Sequence, residues 1–147
     1  MHSLDLNEGG VSSSVIALDR AIRKIGINSR ICTNPIDEQI KGKEKTGMVA
    51  HGLWQWPSLE AMRIHQKTKV PFVVFPHGML DPWFKKKYPL KHFKKQVYWW
   101  FRQGEILRQA NAVCFTTEEE KRLAQNTFWP RQSRSAVTGL GGAEPAT

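Results

Sequence analysis

The chain has 147 residues, 40% hydrophobic and 24% charged, which is enough to bury a core as one domain and excludes disorder as the default. Twenty-two Lys and Arg against 13 Asp and Glu give a net charge of +9, so a polyanionic partner is favoured: nucleic acid, an anionic membrane or a phosphorylated substrate. No apolar run reaches the roughly 20 residues that span a bilayer, and Cys32 and Cys114 read as separate thiols of a reducing compartment, with no zinc-like Cys/His spacing.

In chain order, residues 1–4 read as the tail of a strand, followed by a turn ending in Gly9-Gly10. One of Ser12, Ser13 and Ser14 is a predicted cap for a helix whose apolar face is Val15, Leu18, Ile22 and Ile25, stopped by Gly26. Residues 27–33 are a predicted second strand, and 34–47 a polar connection. A short strand at 48–50 leads into His51-Gly52-Leu53-Trp54, and Pro57 opens a helix to about Lys67. Residues 70–75 form the clearest strand, an unbroken β-branched and aromatic run that suits a parallel sheet covered on both faces. It runs into Pro76-His77-Gly78.

Residues 80–89 read as irregular and 90–109 as one long helix. Residues 112–115 are a short strand, and Thr117 with Glu120 forms a T-x-x-E capping box for a helix to about Gln125. Residues 135–138 are a last strand, and 139–147 read as a linker after a domain covering 1–138. Strand alternating with helix predicts an α/β fold: a Rossmann-like parallel sheet with helices on both faces.

Ligands of such sheets bind beyond the carboxyl ends of the strands. Four unusual loops fall at strand ends of that kind: Gly9-Gly10, His51-Gly52, His77-Gly78 and Thr116-Thr117. Glycine lets a backbone approach a phosphate, and a helix N-terminus favours an anion. A histidine on a loop, between proline and glycine, is placed to donate a hydrogen bond to a sugar hydroxyl or to stabilise charge. His77 is therefore the candidate catalytic residue, and Gly9, Gly10, His51, Gly78 and Thr116 are candidate binding residues. Each loop also has a plain reading, as a tight turn or a cap.

From Pro82 to Gly104 no acidic residue occurs, while Lys85, Lys86, Lys87, Lys91, Lys94, Lys95 and Arg102 interleave with aromatics. Three readings stay open: an amphipathic helix with solvated lysines, a membrane-docking surface, or a stacking platform for single-stranded nucleic acid. No recognisable nucleic-acid-binding motif accompanies it. A non-catalytic basic module is the alternative function.

The runs Gly9-Gly10-Val11-Ser12-Ser13-Ser14-Val15, His51-Gly52-Leu53-Trp54 and Pro76-His77-Gly78-Met79-Leu80-Asp81-Pro82-Trp83, with residues 112–120, resemble the N-terminal domain of glycosyltransferase family 4. The resemblance implies the acceptor-side half of a two-domain GT-B enzyme, a nucleotide-sugar-dependent hexosyltransferase. Such enzymes pass a sugar from a nucleotide diphosphate donor to a glycan or lipid-linked acceptor, usually with retained configuration and without metal or other cofactor. By that match Gly9 and Gly10 would lie near the donor phosphates and His77 beside the donor sugar. It further implies a cytoplasmic protein of polysaccharide or glycolipid synthesis, peripheral on the inner membrane face through residues 83–102, with no nucleic-acid partner. The donor-binding half, with its paired glutamates, is expected beyond residue 147, and this stretch alone is expected to be inactive.

Overall fold

The structure, a computed structural model, describes residues 10–33, 45–130 and 134–139. Within them the elements are α1 (Gly10–Lys24), β1 (Met48–His51), α2 (Trp56–Thr68), β2 (Phe72–Phe75), α3 (Trp83–Lys87), α4 (Pro89–Tyr98), a π-helical turn (Trp99–Gln103), α5 (Gly104–Gln109), β3 (Ala112–Phe115), α6 (Glu118–Ala124) and β4 (Ser135–Val137). The strands form one sheet in the order β1-β2-β3-β4. Every pairing is parallel, with Ala50 beside Val74, Val74 beside Val113 and Val113 beside Ser135. The architecture is the predicted Rossmann-like α/β sheet.

The short strands hold because alternate side chains enter a common core. Ala50, Phe72, Val74, Val113 and Phe115 pack with Ala61 and Met62 of α2, Ile106 and Leu107 of α5, and Ala124 of α6. The central strand is sealed most tightly: Val74 is 0% and Phe72 1% exposed. Burial of this kind contributes roughly 1.5–3 kcal/mol per large apolar side chain relative to leaving it in water. Pro57 stands in the first turn of α2, where its missing N–H costs no hydrogen bond. The helix ends at Lys69, which turns left-handed (φ 62°) and donates its N–H to His65 O.

Three predicted elements differ. Ser12, Ser13 and Ser14 lie inside α1 rather than capping it, and the Ser14 hydroxyl donates back to Gly10 O at 2.8 Å. Its inner face keeps Val15 buried and Ile22 half-buried, but Ile25 is 73% exposed, because the left-handed Gly26 (φ 83°) ends the helix around it. Residues 27–33 carry no strand. Ser29 is instead tied back to α1, its hydroxyl donating to Asp19 Oδ1 at 2.5 Å, and Ile27 stays exposed. The segment is too polar to repay burial as a sheet edge. The predicted irregular stretch at 80–89 contains α3. The predicted strand at 1–4, the 34–44 part of the connection and the linker beyond Gly139 lie outside the described residues.

The long predicted helix is continuous from Pro89 to Gln109 but is widened by the π turn. The widening follows from packing. Gln103 is drawn wholly into the core, where its Oε1 accepts the Trp54 backbone N–H at 3.1 Å. Gly104 makes the turn sterically open, since a Cβ there would stand 2.7 Å from Trp99 O. Around the turn Trp54, Trp99, Phe128 and His92 form a chain of ring contacts, with Trp99 stacked on Phe128 at 4.8 Å.

Candidate functional site

Parallel pairing carries the exits of β1, β2 and β3 to one rim of the sheet. His51 is the last residue of β1, His77 lies two residues beyond β2, and Thr116 directly follows β3. The first two are in contact. His51 Nδ1 and His77 Nε2 stand 2.9 Å apart, and the rings stack at 5.2 Å between centroids. Phe75 stacks on both, at 5.4 Å from His51 and 5.9 Å from His77. His51 is buried and His77 half-buried.

Burial, and then the neighbouring His77, push His51 down to about 3. Burial likewise lowers His77, and the Glu120 carboxylate pulls partly the other way. Both rings are therefore neutral at physiological pH, and a single N–H lies between the two facing nitrogens. A neutral pair can donate or accept a hydrogen bond without bringing a net charge to the rim. His51 orients the Nε2 edge of His77, which leaves Nδ1 as the ring nitrogen of His77 without a partner among the described residues.

The loops that carry the pair are conformationally unusual. His77 has φ 52° and Gly78 φ 74°, two successive left-handed residues, and Gly52 has φ 86°. Glycine takes this conformation at no steric cost, whereas a non-glycine residue costs about 1–3 kcal/mol there. The two loops lock together: the Leu53 N–H points at Met79 Sδ at 3.1 Å, and Gly52 N donates to Phe75 O at 2.8 Å. A Cβ on Gly52 would stand 3.3 Å from Met79 Cε, so its small size also permits the approach.

Thr116 joins the rim through Glu120. Thr116 N and Oγ1 both donate to Glu120 Oε2, at 2.8 and 2.7 Å, and Gly78 N donates to Glu120 Oε1 at 2.7 Å. Thr117 caps α6, accepting Glu120 N at 3.1 Å. The box signature located the helix start. It did not show that the glutamate carboxylate reaches a loop 42 residues away, because that depends on β2 and β3 being neighbours. Thr116, His51, His77 and Gly78 are thus assembled together.

The glycine pair is not joined to them among the described residues. Gly10 is exposed at the start of α1, with nothing within 4 Å of where a Cβ would stand, and Gly9 lies outside the described residues. No group of three or more His, Cys, Asp or Glu among the described residues has the geometry to hold a metal ion. Of the thiols, Cys114 is buried and Cys32 half-buried.

Thus the carboxyl rim of a parallel α/β sheet carries a neutral imidazole pair, with left-handed backbone at Gly52, His77 and Gly78, and a glutamate that ties Gly78 to Thr116. The family model described as glycosyl transferase 4-like domain matches residues 48–141. The chain belongs to that family and carries a glycosyltransferase module. The match includes His51, His77, Gly78, Thr116 and Glu120, and begins after the Gly9-Gly10 turn. Neither the curated proteins nor the solved structures give a match.

Proposed function

We propose that this chain is the acceptor-side domain of a retaining glycosyltransferase that moves a hexose from a nucleotide diphosphate donor to a glycan or lipid-linked acceptor. The supporting observation is the His51–His77 pair at the carboxyl rim of the sheet, 2.9 Å apart and buried enough to stay neutral. On this reading His77 offers its Nδ1 edge to a hydroxyl of the donor sugar. Its backbone is fixed before substrate arrives, which lowers the reorganisation needed at the reaction. Thr116 and Gly78 shape the same rim. Gly9 and Gly10 serve the donor phosphates through their backbone.

Neutral side chains suit recognition of a sugar but not the grip on a diphosphate. The rim segments 51–54, 76–82 and 116–117 contain no Lys or Arg. Charge leaving with the nucleotide needs cations and preorganised donors, which we assign to a second α/β domain. No metal or other cofactor enters this scheme.

The acceptor side carries a second feature. Leu90 is 82%, Phe93 64% and Phe101 79% exposed, beside Lys85, Lys86, Lys87, Lys91 and Lys94. Among the described residues no helix is long and apolar enough to cross a membrane. An exposed apolar row flanked by lysines instead fits docking on an anionic leaflet, where each nearby Lys contributes about 1 kcal/mol. On this reading the acceptor is lipid-linked.

The test uses the protein translated from the complete gene. Incubation with a panel of nucleotide-diphosphate sugars and lipid or glycan acceptors should release nucleoside diphosphate. His77→Ala should lower turnover by about 10²-fold, the scale of losing one preorganised donor. Release from no donor, or equal turnover by wild type and His77→Ala, refutes the assignment.

A further inference from the structure

We propose that Glu120 is a positioning residue for His77, acting through the backbone by tying the loop that carries His77 to the loop that follows β3. The functional consequence rests on the glycosyltransferase reading above; the mechanical claim does not.

The carboxylate is more fully used than helix capping requires. The cap of α6 is already made by the Thr117 hydroxyl accepting Glu120 N. In an ordinary box the glutamate side chain returns to the N–H of the capping residue. Here it goes past Thr117 in both directions. Oε2 takes the N–H and hydroxyl of Thr116, and Oε1 takes the N–H of Gly78 from across the sheet. All three contacts are 2.7–2.8 Å, the short distances of charge-assisted hydrogen bonds, which are about twice as strong as neutral ones.

The Gly78 contact falls where the backbone most needs support. His77 and Gly78 are both left-handed, at φ 52° and 74°. The Gly78 N–H belongs to the peptide that follows His77, so anchoring it sets the direction in which the His77 side chain leaves the loop. His51 then fixes the ring from one edge, at the Nδ1–Nε2 contact. Backbone latch and ring contact together leave His77 little freedom. Burial lowers His77, and the Glu120 carboxylate acts electrostatically in the opposite sense, favouring the protonated imidazole.

Glutamine cannot replace this glutamate. Its single carbonyl oxygen can face Gly78 N or Thr116 N but not both, and its amide would present N–H to a donor on the other side. Aspartate keeps the charge but is one methylene shorter, so it stays with the nearby Thr116 and does not reach Gly78 across the sheet.

The experiment is an NMR pH titration of the His77 and His51 imidazoles, with the Gly78 amide as a second probe, in the 147-residue chain. Wild type is compared with Glu120→Gln and Thr117→Ala. In Glu120→Gln the Gly78 amide signal should move as its acceptor is lost, and the His77 midpoint should fall as the nearby negative charge is removed. Thr117→Ala removes the cap alone, so it should lower the melting temperature while leaving His77 and Gly78 in place. If Glu120→Gln does not fold, Glu120→Asp decides by the same signals, and should move the Gly78 amide although the charge is retained. A folded Glu120 variant with His77 and Gly78 signals unchanged overturns the proposal, as does a Thr117→Ala variant that moves them equally. These signals do not depend on sugar transfer, so a chain with no transferase activity but a displaced His77 would fault the functional reading and leave the latch standing.

Discussion

The buried His51 makes stability depend on pH in a calculable way. Its ordinary value is 6.5 and burial holds it at about 3 in the fold. Between those values the unfolded chain binds a proton that the folded chain refuses. Stability is therefore complete above pH 6.5 and declines as the solution is acidified toward pH 3, by up to about 1.4 kcal/mol per pH unit. Between pH 7 and pH 5 the difference attributable to His51 is about 2 kcal/mol. The perturbation is His51→Gln, which removes the titration and keeps a polar side chain facing His77. The assay is urea unfolding of wild type and variant at both pH values. Carboxylates, and most of the His77 contribution, cancel in the comparison. Wild type should lose about 2 kcal/mol more than His51→Gln between pH 7 and pH 5. Equal losses in the two proteins would show that His51 takes up its proton in the folded state, and the picture of a neutral buried pair would fail.

Gly104→Ala should strain the π turn, since the new methyl would stand 2.7 Å from Trp99 O; a loss of about 1–3 kcal/mol should appear as a lower urea midpoint. Phe93→Ser with Phe101→Ser should abolish co-sedimentation with vesicles rich in anionic lipid while leaving the melting temperature within a few degrees, because both side chains are exposed. Binding of the wild type to neutral vesicles as strongly as to anionic ones would refute the role given to the lysines. Tight binding to single-stranded DNA with a steep salt dependence would favour a nucleic-acid surface instead.

Periodicity and punctuation made much of the fold legible. The run 70–75 announced a covered strand, Pro57 the opening of α2, Gly26 the end of α1, and Thr117 the cap of α6. These signals are local: each is set by a residue's own backbone preference or by neighbours three or four positions away. The strand expected at 27–33 is replaced by a segment tied to α1, where Ser29 bonds Asp19, ten residues earlier. The π turn was illegible for a related reason. It exists because Trp54, from the loop after β1, offers its N–H to Gln103 49 residues on.

The amino-acid order alone determined that the sheet is parallel and that His51, His77 and Thr116 stand at strand exits, because strand, loop and helix alternate with the spacing of right-handed crossovers. Only the tertiary structure decided that the two imidazoles meet at 2.9 Å and that Glu120 bridges Gly78 to Thr116. Those contacts depend on β1 lying beside β2 and β2 beside β3 in a particular register. Register is fixed by which side chains fill the shared core, a property of the packed whole that no stretch of the chain encodes by itself.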